Sequence, residues 1–150
     1  MEKMVLKIHD FYEFRDRFPL WSIIHIEVSN EYFPDDQWWD ATSSVLEIWM
    51  DNLISFIYGS IDFCTLDFLD GDYSINLHKK TQWEAVAICL APNDKVIVSE
   101  SIDLLYFARQ VLSAVEKIKI FYSAYKNSNI IKSLSNKANL LRHAIKACTH

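Results

Sequence analysis

The sequence predicts an α+β domain: an antiparallel sheet of about five to six strands with three helices, in the order β-β-α-β-β-β-α-α. Three observations carry this expectation. Apolar residues alternate with a period of two up to Val28 and again from Ser60 to Val98. Between those stretches, and again beyond Ser101, they recur at three and four. Asp70-Gly71 and Pro92-Asn-Asp-Lys95 interrupt the second alternating stretch where hairpin turns belong.

Taken in order, Val5–Ile8 and Leu20–Val28 read as strands. In the second, Ile24, Ile26 and Val28 share one face, while Trp21, Ile23, His25 and Glu27 share the other. Phe11 to Phe18 mixes charge with aromatics and reads as a connection or a short helix. Phe33-Pro-Asp-Asp-Gln-Trp-Trp-Asp40 reads as a turn leading into a helix, with Pro34 in its first turn and Asp35 or Asp36 capping its amides. From Asp40 to Tyr58, Ala41, Val45, Ile48, Trp49, Asn52 and Phe56 mark the helix proper, and Gly59 stops it. Ser60–Leu69 is apolar on both faces, as a central strand should be. Tyr73, Ile75 and Leu77 alternate with polar neighbours, Trp83–Ala91 is again apolar on both faces, and Val96–Val98 completes three or four meandering strands. Ser99 and Ser101 are candidate caps for a helix that runs to about Tyr125 on Leu104, Ala108, Val111, Val115, Ile118 and Tyr122. A loop at Lys126–Asn129 leads to a last helix, apolar on Ile131, Leu134, Ala138, Leu141 and Ile145 and basic on its other side.

The 150 residues are 51% hydrophobic, 14% aromatic and 23% charged, which places the chain among single globular domains (1–150) able to bury a core. Two Gly and three Pro leave no room for a flexible linker or a glycine-rich phosphate loop. No apolar run reaches the ~20 residues of a membrane span, and the first residues lack the basic flank and long apolar stretch of a secretory leader. Cys64, Cys89 and Cys148 are odd in number and form no CxxC, so reduced thiols in a cytoplasmic protein are expected.

Charge is the most uneven property of the chain. Phe18 to His78 contains no Lys or Arg and eleven Asp or Glu, whereas Lys117 onward contains seven Lys or Arg and no carboxylate. A net charge of −5 argues against stable nucleic-acid binding by the whole molecule. Two acidic groups stand out. Asp35, Asp36 and Asp40 flank Trp38 and Trp39, and adjacent indoles cannot both turn inward from one helix. Asp67, Asp70 and Asp72 surround the second turn. Each group has a bland alternative, helix capping for the first and turn chemistry for the second, beside its use as a contact surface for a basic partner. The second triplet lacks the repeated ligands and terminal Glu of a calcium loop, and the five His are scattered, so no metal, no cofactor and no catalytic residue is assigned. His25 is expected to be a satisfied, partly buried imidazole, and Cys64 and Cys89 to be core residues.

Phe33-Pro-Asp-Asp-Gln-Trp-Trp-Asp40 and Phe68-Leu-Asp-Gly-Asp-Tyr73 resemble motifs of small bacterial immunity proteins from polymorphic or contact-dependent toxin systems. The resemblance covers about residues 20–100 and brings no functional residue with it. It implies a small acidic cytoplasmic protein, not an enzyme, that neutralises a cognate toxin domain of the nuclease type by occluding its basic cleft. Asp35, Asp36, Trp38, Trp39 and Asp40 are then the first contact patch, and Asp67, Asp70 and Asp72 the second. Two other readings stay open: a small metal-dependent or acid–base enzyme using the same carboxylates, and a scaffold that self-associates through Trp38, Trp39 or the last helix.

Overall fold

A computed structural model describes residues 1–15 and 17–149. Among these residues the architecture is α+β, with eight strands and three α-helices: β1 (Val5–His9), β2 (Ser22–Val28), β3 (Glu31–Phe33), β4 (Trp39–Asp40), α1 (Thr42–Tyr58), β5 (Phe63–Asp67), β6 (Ser74–Thr81), β7 (Glu84–Ala91), β8 (Lys95–Asp103), α2 (Leu104–Phe121) and α3 (Asn129–Cys148). The strands form two antiparallel sheets of four, not the single sheet of five to six that the periodicity predicts. In the first, β2 is central: β1 lies on one side, and β3 and β4 both pair with the other, opposite Ile26–Val28 and Ser22–Ile23. The second is the expected meander, β5-β6-β7-β8. Glu2 joins the two by exchanging backbone hydrogen bonds with Ser101 and Asp103 on β8, at 2.8 and 2.9 Å.

The extra strands come from the segment expected to open a helix. Phe33–Pro34 is a cis peptide bond, and Asp35 accepts a hydrogen bond from the Gln37 amide at 2.7 Å rather than capping a helix. The chain then runs extended through Trp39 and Asp40, and α1 begins only at Thr42, without a side-chain cap. Its end is as expected. Gly59 adopts φ +82, a conformation costly for any residue with a Cβ, and its amide closes on the Phe56 carbonyl.

β5 is an edge strand rather than a central one. Its outer face carries Phe63, Thr65 and Asp67, with Phe63 44% exposed, and α1 covers the free edge. Trp49 donates its indole N–H to the Asp67 carbonyl at 2.8 Å, and Asn52 donates to the Thr65 carbonyl at 2.9 Å. Carbonyls two residues apart on an edge strand point the same way, so one helix face satisfies both. At the other end of α1, Lys79 donates to the Phe56 and Ile57 carbonyls and Gln82 to that of Ile57. Burial lowers the Lys79 pKa, against a smaller raising effect from nearby Cys148.

β8 extends well past Val98, so neither Ser99 nor Ser101 caps α2. Asp103 does, accepting from the Tyr106 amide at 3.0 Å. Two of the four Lys and Arg of the last helix are spent inside the molecule. Lys137 pairs with Asp51 of α1 at 2.6 Å, Arg142 with Glu116 of α2 at 2.8 Å, and the Ser133 hydroxyl donates to Glu47. One core, in which Trp49, Phe33, Phe56 and Phe107 are the largest fully buried side chains, joins both sheets to all three helices. No helix among the described residues is long and apolar enough to cross a membrane.

Cys64 and Cys89 belong to this core, and burial pushes both thiols up to about 12, whereas Cys148 is half-buried on the last turn of α3. The thiolate is the species that alkylates. Iodoacetamide at pH 8 is therefore expected to modify Cys148 alone in the folded chain and all three thiols in urea, as read by intact mass. Equal modification rates in the folded state would contradict this core.

Gly71 marks the connection between β5 and β6, but not as the φ-positive half of a two-residue hairpin. The connection spans six residues, Phe68–Tyr73, closed by the Phe68 amide on the Tyr73 carbonyl at 3.0 Å. A Cβ on Gly71 would lie 2.9 Å from Cη2 of Trp38, so the glycine makes room for an indole. Replacing Gly71 with Ala is expected to cost about 1–3 kcal/mol through that overlap, measured as a shift in urea midpoint at constant slope. An unchanged midpoint would show that the indole is free to move.

Candidate functional site

The two acidic groups, about thirty residues apart in sequence, meet on the surface. Their junction is built from the inside outward. Phe33 is buried and packs edge-on against Phe68 and Tyr73, at ring separations of 5.8 Å for each. Trp38 lies over Gly71, with its ring 5.0 Å from Tyr73 and 6.4 Å from Phe68. The loop between β3 and β4 thus stacks on the loop between β5 and β6.

Asp40 fastens the junction. Its side chain is fully buried, which corrects its expected place on the contact surface. One carboxylate oxygen accepts from the Trp38 indole at 3.0 Å, the Leu69 amide at 2.9 Å and the Asp70 amide at 3.2 Å. The other accepts from the Ala41 amide at 2.7 Å, at the positive end of α1. A buried carboxylate is tolerable only when its lone pairs are filled in this way. Asp40 is a positioning residue, and nothing is left of it to meet a partner.

The other assigned residues divide cleanly. Asp35, Asp36, Asp70 and Asp72 are exposed on the two joined loops, Asp67 is exposed at the end of β5 where the second loop begins, and Trp38 is half-buried between the loops. Trp39, the next residue along β4, points the opposite way and remains 41% exposed. One tryptophan therefore turns inward and one outward, by strand alternation rather than helical geometry. Tyr32 and Leu69, exposed by 53% and 46%, extend the apolar part of this surface. Tyr32 stands in sequence beside the acidic residues of the first patch, which is its cue, and the cue for Leu69 is its place between two turn aspartates.

None of the five exposed carboxylates forms an ion pair among the described residues. The carboxylates that do pair with Lys or Arg, Asp51 and Glu116, lie on helices. For Glu116, burial raises the pKa, but hydrogen bonds and charge from Arg142 and Lys119 prevail and lower it. Cavities of about 560, 380 and 560 Å³ open on the surface, the second walled in part by Trp39 and the third by Tyr32, and none of these is lined by any of the five exposed aspartates. No three His, Cys, Asp or Glu among the described residues converge as a metal site would require. His25 is buried on the outer face of the first sheet. Its Nε2 lies 3.4 Å from Glu27, but its Nδ1 has no partner, so it is less fully satisfied than expected.

The arrangement offers a rigid acidic rim edged with aromatic and aliphatic side chains. Such a surface suits recognition of a cationic one. Comparison with known proteins gives no match: no family model, no curated protein and no solved structure is significantly similar to this chain.

Changing Asp40 to Asn puts two N–H donors where donors already converge. The expected loss is about 2–4 kcal/mol of folding stability, with loosened amide exchange at Leu69 and Asp70. A stability loss below about 0.5 kcal/mol, on the scale of an ordinary surface substitution, would show that the clasp is not needed.

Proposed function

We propose that this chain is an inhibitor of the immunity-protein type, which docks its acidic rim on the basic cleft of a toxin domain and excludes that domain's substrate. The observation that carries the reading is the set of five exposed carboxylates, Asp35, Asp36, Asp67, Asp70 and Asp72, none in an ion pair among the described residues, on two loops locked together from beneath and on the strand end that leads into one of them. Carboxylates held in this way keep their field in solution and lose little freedom on binding. They accelerate encounter with a cationic surface, while the exposed Trp39, Leu69 and Tyr32 supply desolvated area that slows release. A nuclease-type toxin, whose cleft is built to hold phosphates, is the partner class that fits both the charge and the resemblance of the two acidic segments.

None of the cavities described above is lined by a rim aspartate, which supports binding over catalysis, since acid–base chemistry needs carboxylates converging on a cavity. The test pairs this chain with the toxin domain encoded beside it. Reversing the rim (Asp35→Lys and Asp36→Lys with Asp70→Lys and Asp72→Lys) is expected to weaken binding at least about a hundredfold, mainly through the association rate. Growth rescue should be lost with it, while the thermal midpoint stays within a few degrees. Reversal of exposed Asp62, at the far end of β5, serves as the control. Full affinity and rescue after rim reversal would refute the proposal.

A further inference from the structure

We infer that the aromatic cavity beside Trp39 is an anchor site for an arginine side chain of the partner, an inference that rests on the rim being a docking surface. The cavity holds about 380 Å³ and is walled by Tyr12, Phe18, Trp21 and Trp39, with Glu13 and Arg15 at its polar margin. Three of its aromatic walls are strikingly wasteful for a folded chain left alone: Phe18 is 61% exposed, Tyr12 50% and Trp39 41%. They belong to the irregular segment before β2 and to β4, so the cavity opens on the side of β4 opposite the Trp38–Gly71 junction.

The chemistry of the walls selects the occupant. Aromatic faces attract cations, and a planar, weakly hydrated guanidinium stacks on them at less desolvation cost than an ammonium. The chain itself sets one arginine against a wall of this cavity. The Arg15 guanidinium lies over the Tyr12 ring at 5.3 Å, with Nη2 3.5 Å from the Tyr12 hydroxyl. Arg15 acts as a resident stand-in at the margin, and a partner arginine entering between Trp21 and Trp39 takes Glu13 as its counter-charge. Trp39 follows directly on the loop that bears Asp35 and Asp36, so a basic surface covering the rim brings its cationic side chains to the cavity mouth.

The experiment titrates the isotopically labelled full chain with acetyl-tetra-arginine amide, its tetra-lysine counterpart and its uncharged tetra-citrulline counterpart. The indole N–H signals of Trp39 and Trp21 report the cavity, and the amides of residues 35–36 and 70–72 report the rim. The arginine peptide should shift the Trp39 indole saturably and bind roughly three- to tenfold more tightly than the lysine peptide. Trp39→Ala should abolish that preference. Arg15→Ala, which removes the resident cation, should tighten arginine binding more than Arg17→Ala, which removes the same charge beside a different cavity. Rim shifts with silent indoles would overturn the anchor site and leave the docking surface standing. Silence at both would overturn both. An equal indole response to citrulline would show apolar stacking alone and likewise overturn the assignment.

Discussion

The buried carboxylate of Asp40 is the constraint on which the rest of the molecule depends. Its four hydrogen bonds come from three separate places: the indole two residues before it, the amide that opens α1, and two amides of the loop between β5 and β6. Removing a carboxylate from water costs several kcal/mol, so the arrangement is stable only while all of these donors stay in position. Any relative slip of the first sheet, α1 or the second sheet would strand a charge. α1 has no acidic residue in its first turn and no capping side chain, so Asp40 also supplies the negative charge that its N-terminus favours.

That constraint explains why the charge asymmetry of the sequence becomes a surface feature rather than an average. The basic α3 packs against α1 and pairs with Asp51, and with Glu116 of α2. Exposed pairs of this kind contribute at most about 1 kcal/mol each, so they do little for stability. Their effect is on the field, because they neutralise carboxylates on the helical side and leave those on the two loops uncompensated. The acidic sign of the rim thus has two sources, five exposed aspartates in a stretch without Lys or Arg and the use of the α3 cations on the helical side.

Periodicity made much of the fold legible. The alternation of Tyr73, Ile75 and Leu77, the three-four spacing of α1 and α2, and Gly59 as a stop all reflect local geometry. What periodicity missed was set by partners distant in sequence. β3 and β4 are three and two residues long, too short to show a period, and they exist because β2 offers them hydrogen bonds. Asp70-Gly71 reads as a hairpin signal, yet Gly71 is needed because Trp38 lies over it. Ser99 and Ser101 look like caps, yet β7 keeps pairing with β8 through Asp103. The exposed aspartates of the site were legible as charge. The burial of Asp40 was not, because the fate of a carboxylate depends on donors that another segment brings to it.

One two-residue strand therefore carries both halves of the surface. Within β4 and its approach, Trp38 and Asp40 face the second sheet and fix the rim, while Trp39 faces outward and forms a wall of the aromatic cavity. Alternation leaves no freedom to move one without the other. A partner that touches the rim and reaches the cavity meets two features whose spacing is set by covalent geometry, not by loop motion. Preorganisation of that kind lowers the ordering cost of binding and makes the distance between a basic patch and a protruding side chain a criterion of recognition. If the rim docks on a partner as proposed, specificity among similarly charged candidates would rest on that distance, since charge alone would admit them all.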